Sequence, residues 1–161
     1  MRKAAVILTA MGLGFLAVGP ADARYDGAAS YRRAHASAWS TMHAAERGNA
    51  RAQAILGFMY EHGRSVPQDF RRAAKWYYRA AEQGEPHGQH FLGLLYDKGR
   101  GVPQDYIEAY KWLNLAAARA GRRDRDYYIR MRNALASKMT LAAIDEAQAR
   151  ARAWQPVRAG W

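Results

Sequence analysis

The chain has 161 residues, with 25 lysines and arginines against 14 aspartates and glutamates, a formal net charge of +11, and no cysteine. That length is about one domain's worth. The missing cysteine excludes a disulfide scaffold, a thiolate metal site and a thiol nucleophile. Only five of the basic residues are lysines. The arginine excess reads either as an electropositive face for planar anions or as the by-product of an arginine- and alanine-rich helical composition.

Arg2 and Lys3 precede an almost uncharged run from Ala4 to Val18, closed by Pro20-Ala21-Asp22-Ala23. A short basic region, an apolar region and a small-x-small site make a secretory signal peptide over residues 1–23, cut before Arg24. The run ends too early at Gly19-Pro20 for a membrane span, which needs ~20 apolar residues. A periplasmic or secreted protein is expected, with no span in the mature chain. An exported address also argues against nucleic acid as the partner of the basic surface.

Residues 24–30 are small and polar and read as a flexible arm. From Tyr31 the pattern turns helical, with Tyr31, Ala34, Ala38, Trp39 and Met42 on one side. Its ending, Ala44-Ala45-Glu46-Arg47-Gly48, returns 36 residues later as Ala80-Ala81-Glu82-Gln83-Gly84. Residues 31–48 therefore read as an N-terminal capping half-repeat.

The next stretch is written twice. Leu56-Gly57-Phe58-Met59-Tyr60-Glu61-His62-Gly63-Arg64-Ser65-Val66-Pro67-Gln68-Asp69-Phe70, with Ala73 and Trp76 beyond it, returns 36 residues later. The second copy is Leu92-Gly93-Leu94-Leu95-Tyr96-Asp97-Lys98-Gly99-Arg100-Gly101-Val102-Pro103-Gln104-Asp105-Tyr106, with Ala109 and Trp112. A fixed period of this size marks a unit that must stack on copies of itself to bury its apolar face. Repeat 1 covers residues 49–84 and repeat 2 covers 85–120. The first helix carries the spacing Ala52, Ile55, Leu56, Met59, Tyr60 in repeat 1 and a core of Phe91, Leu92, Leu95 and Tyr96 in repeat 2. Gly63 and Gly99 end it in the left-handed region, and Asp69 and Asp105 cap the second helix. Pro86 and Gly88 at the start of repeat 2 suggest a first helix that begins a residue or two late.

After Gly121 the period is lost. One helix runs through Tyr128, Met131, Leu135 and Met139, and a last one, capped by Thr140, carries Leu141, Ile144, Ala147, Ala151 and Trp154 before Pro156. Residues 121–156 read as a C-terminal capping pair and 157–161 as a tail. The fold class is all-α, an α/α solenoid of antiparallel pairs with about seven helices.

The pattern Ala-x-x-x-Leu-Gly-x-x-Tyr, Gly-x-x-Val-x-x-Asp, Ala-x-x-Trp and Ala-Ala-x-x-Gly, best preserved from Asn49 to Ala118, resembles the Sel-one-like repeat, a relative of the tetratricopeptide repeat. The resemblance implies a right-handed superhelix whose concave surface binds other proteins, as adaptor, chaperone-like partner or regulator; no cofactor is expected. Periplasmic members include regulators of exopolysaccharide signalling. Members associated with penicillin binding or β-lactam hydrolysis resemble a cysteine-bridged subgroup, which this chain does not match. Ser65 stands where the family, like Gly101 here, has glycine.

Catalytic constellations are absent from the sequence: there is no Ser-x-x-Lys, Gly-x-Ser-x-Gly, His-Glu-x-x-His or phosphate-cradling glycine loop. A non-enzymatic protein is expected, with an unrecognised hydrolase as a remote alternative. His87 and His90, with Glu85, have a spacing that turns two imidazoles one way, but three donors without a fourth favour a solvated helix face over a metal site. The candidate partner-binding residues are Arg51, Ala54, Phe58 and Glu61 with their equivalents His87, His90, Leu94 and Asp97, a stripe beside the buried one on the first helix of each repeat. It suits a protein or peptide on the concave face. The rival occupant is an anionic envelope glycan or lipid phosphate, held by the arginine-rich segment from Arg119 to Arg158.

Overall fold

A computed structural model describes the backbone of residues 27–157 and the side chains of residues 36–157. The expected signal peptide and residues 158–161 lie outside these. The described residues form seven helices and no strand: α1 (Gly27–Glu46), α2 (Ala50–His62), α3 (Phe70–Glu82), α4 (Pro86–Lys98), α5 (Tyr106–Arg119), α6 (Arg122–Ala136) and α7 (Leu141–Ala153). Helix α1 begins four residues before Tyr31, so part of the expected flexible arm is helical.

The repeats agree in detail because the same local chemistry bounds them. Asn49 caps α2 by accepting from the Ala52 N–H, and Glu85 caps α4 at the equivalent position by accepting from the Gly88 N–H. With Glu85 as cap and Pro86 in the first turn, α4 starts in register with α2 rather than late. Asp69 accepts from the Arg72 N–H, and Asp105 from those of Ile107 and Glu108. Gly63 (φ 66°) and Gly99 (φ 64°) end the first helices in the left-handed conformation. The loop glutamines complete the turn: Gln68 donates to the Glu61 carbonyl (2.8 Å) and Gln104 to that of Asp97 (2.7 Å).

A third repeated contact joins one unit to the next. Gln53 is buried on α2 and donates to the Ala45 carbonyl (3.1 Å), while Gln89 on α4 donates to that of Ala81 (3.2 Å). Each adds a second bond to a carbonyl near the end of the preceding helix that also accepts a glycine N–H, Gly48 to Ala45 (3.0 Å) and Gly84 to Ala81 (2.9 Å).

Helices α2 and α3 form one antiparallel pair and α4 and α5 the next, with α3 packed on α4 and α2 reaching α4 directly. The core centres on Leu56, Tyr77, Leu92, Leu95, Trp112 and Leu113, all essentially inaccessible to solvent. Gly57 and Gly93 let the paired helices close: a Cβ at Gly57 would sit 2.6 Å from the Tyr77 ring, and one at Gly93 would sit 2.9 Å from Leu113 Cγ. Helix α5 packs against both α6 and α7, and Leu135 and Ala147 join Ala109 and Leu113 in a second cluster.

Three expected core residues are exposed. Leu141 is 81% accessible and Trp39 65%, since no neighbouring unit covers these outer positions; Ile55 is 45% accessible. Trp154 instead returns across the array. Its ring meets Trp112 edge-on (6.1 Å), its indole N–H reaches Glu82 (3.3 Å), and the Val157 N–H donates to the Glu82 carbonyl (2.7 Å).

Candidate interaction surface

Helices α2 and α4 lie side by side on the surface that the resemblance assigns to the concave side, and the eight candidate residues divide there by repeat. In repeat 1, Arg51 is exposed at the start of α2, Ala54 is buried beneath it, and Phe58 is half-buried one turn on. The Phe58 ring stacks on His62 (4.0 Å), inclines toward Phe91 (5.9 Å) and carries the Arg64 guanidinium over it (5.1 Å). Glu61 is half-buried and accepts from the Tyr77 hydroxyl (2.7 Å).

In repeat 2 His90 and Asp97 are buried, while His87 and Leu94 are half-buried. His90 is 3% accessible, with its imidazole stacked on Tyr128 of α6 (4.4 Å), and His87 Nδ1 lies 2.8 Å from the Tyr128 hydroxyl. Burial, with a smaller push from the His87 charge, drives the His90 imidazole down to about 4, against the opposing field of Asp124. His90 is thus packed against Tyr128 rather than on the solvated helix face expected for it. Leu94 packs into the second core cluster.

Asp97, also buried, is gripped by Lys98 and by Lys138, each at 2.9 Å. Burial pushes its carboxyl up, but the hydrogen bonds and charges of Lys138 and Lys98 outweigh this and hold it below the ordinary range. Leu113 replaces Tyr77 in repeat 2, so Asp97 has no hydroxyl donor there and lysines take that role. His90 and Asp97 are therefore not part of an open stripe, and Ala54, though buried, lies beneath the open part of it. For the two in repeat 2, the physical reason is α6 and the turn after it, which pack where a further repeat would stand.

Arg51, Ala54, Phe58 and His87 do come together. With Ile55 and Phe91 they line a groove of about 220 Å³ between α2 and α4. Sequence reasoning placed Ile55 and Phe91 in the core and missed them here. They are equivalent positions, and the signal was the apolar residue on the side that faces the preceding unit. Phe91 meets Phe58 and stacks on Tyr77 (5.1 Å), whereas Ile55 has no such cover.

Among the described residues no group of three or more histidines and carboxylates is arranged to hold a metal, and no helix is long and apolar enough to cross a membrane. Stacked helix pairs closed by two final helices that each pack on α5, with a groove between successive first helices, define an α-solenoid repeat protein. Residues 50–85 and 86–120 each match the Sel1 repeat, and the chain is a Sel1-like repeat protein.

Its backbone is similar to that of a protective antigen of uropathogenic Escherichia coli strains that displays an SLR fold. The TM-score is 0.69 at 29% identity, over 80% of this chain and 28% of that one. It is also similar to a Sel1 repeat protein from Oxalobacter formigenes, with a TM-score of 0.51 at 42% identity, over 55% of this chain and 66% of that one. No curated protein matches the chain. Proteins built on Sel1 repeats are typically scaffolds for protein–protein interaction.

Proposed function

We propose that this protein is an exported, non-enzymatic adaptor or regulator of the bacterial envelope that binds a protein partner in the α2–α4 groove. The observation that carries the reading is the groove itself. Ile55 is open to solvent beside Phe58 and Phe91, flanked by Arg51 and His87, so a partner's apolar side chain would bury against three apolar neighbours with polar groups at the rim. Export rests on the N-terminal pattern of residues 1–23 and is tested by sequencing the mature N-terminus, which should begin at Arg24.

The binding test expresses the tagged protein in the periplasm of a related cell, crosslinks it and identifies what co-purifies, beside Ile55→Glu and an Ile55→Glu, Phe58→Glu double variant. Ile55 is exposed, so the single variant should keep the fold. A discrete protein captured by the wild type and lost by both variants supports the groove; a partner retained by both refutes it.

A second reading, an anionic glycan or lipid phosphate held by α6, is favoured by exposed Arg122, Arg123 and Arg130, which have no carboxylate partner among the described residues. Such binding should collapse with rising salt and with neutralisation of those arginines.

A further inference from the structure

A second, larger groove of about 410 Å³ lies on the other side of repeat 1, between α3, α4 and the loop that follows α4. Its floor is apolar, made by Ala74, Leu92 and Val102, and Tyr78 stands at its wall, 48% accessible. Its rim is cationic. Arg71, Lys75 and Arg79 stand at i, i+4 and i+8 on α3, and none has a carboxylate partner among the described residues.

The carboxylates around this groove make no ion pair with these α3 cations. Glu108 is bound by Lys111 (2.7 Å) and Arg150 (2.9 Å), Glu82 accepts from Trp154 (3.3 Å), and Asp105 caps α5. Glu82 and Asp105 keep their negative charge near Tyr78 and Tyr96, and the unpaired cations of α3 form the rim beside buried apolar surface. Hydrated cations alone would serve any polyanion. Cations in a row over an apolar trough suit a ligand with both kinds of group.

We infer that the α3–α4 groove binds an acidic peptide segment of a partner protein, one that alternates carboxylates with apolar side chains. The spacing supports this occupant. Four residues of helix rise about 6 Å, so the three cations step along α3 at about that interval. Same-side residues of an extended peptide repeat every ~6.6 Å, which aligns successive carboxylates with successive cations while the intervening side chains turn toward the floor. The site uses none of the residues of the α2–α4 groove, so it stands or falls independently of that reading.

The test is fluorescence anisotropy of the purified protein with two labelled heptapeptides, Gly-Glu-Leu-Glu-Leu-Glu-Gly and the same peptide with glycine for leucine. Lys75→Glu and Arg123→Glu make the same charge change at two exposed positions, one on the groove and one on α6, and melting curves establish that both fold. The leucine peptide should bind, Lys75→Glu should weaken it by about tenfold or more, and Arg123→Glu should leave it within about twofold. The inference is overturned by any of three results: no binding up to on the order of 1 mM, equal binding of the glycine peptide, or equal losses in the two variants. Competition by polyphosphate as effective as by the leucine peptide would assign the surface to a bare polyanion and overturn it as well.

Discussion

Gly57→Ala tests how the helix pairs are held together. A Cβ added at Gly57 would lie 2.6 Å from Tyr77 Cδ1 and 2.7 Å from Cε1, about 1 Å inside the ordinary carbon–carbon separation. The Tyr77 ring has little room to retreat. It is fully buried, stacks on Phe91 and is anchored through its hydroxyl to Glu61. Overpacking of this kind costs about 1–3 kcal/mol, and a displaced ring would lose part of a further ~1 kcal/mol from the hydrogen bond. Alanine recovers ~1 kcal/mol of helix propensity. The net loss is up to about 3 kcal/mol, which in a domain of this size lowers Tm by up to about 10 °C, readable in a thermal melt by far-ultraviolet circular dichroism. In a Tyr77→Leu background the obstructing ring is gone, and Gly57→Ala should be neutral or stabilising. A variant that melts at or above wild type, or that loses as much in the Tyr77→Leu background, would refute the close-approach argument.

Three further outcomes follow from the same geometry. Tyr77→Phe removes the hydrogen bond to a half-buried carboxylate and should cost about 1–2 kcal/mol in urea denaturation; an unchanged midpoint would show that water replaces the hydroxyl without loss. His90 is held near 4 in the fold against about 6.5 unfolded, so the unfolded chain binds more protons between these values and stability falls as pH drops through that window, by at most about 3 kcal/mol. His90→Phe should flatten this part of the profile, and an identical pH dependence in wild type and variant would assign the loss to other groups. A Cβ at Gly101 (φ 73°) would fall on the Phe70 carbonyl, whereas Ser65 holds the same left-handed conformation (φ 61°) at an exposed site. Gly101→Ser should therefore lower Tm while Ser65→Gly keeps or raises it, and equal effects would mean that only backbone strain matters at both.

What the sequence determined by itself is whatever depends on near neighbours along the chain. The duplicated stretch, the caps at Asp69, Asp105 and Thr140, and the terminating Gly63 and Gly99 are local signals, and the structure has each in place. The solenoid follows from their period, because identical units with one apolar face can only stack. The groove was half legible: Arg51, Ala54, Phe58 and His87 share it, but Ile55 looked buried because helical spacing shows which side a residue faces, not whether another unit covers that side.

Tertiary structure alone decided the rest. Repeat-equivalent residues have different fates, since α6 covers His90 and the turn after it supplies Lys138 to Asp97, while Ala54 and Phe58 border an open groove. Trp154 reaches Glu82 from far along the chain, and the α3 cations stand over an apolar floor that α4 and its loop provide. Period and propensity describe one unit and its copies. Which copies lack a neighbour, and what the capping helices place against them, depends on contacts between segments distant in sequence, and those exist only once the chain has packed.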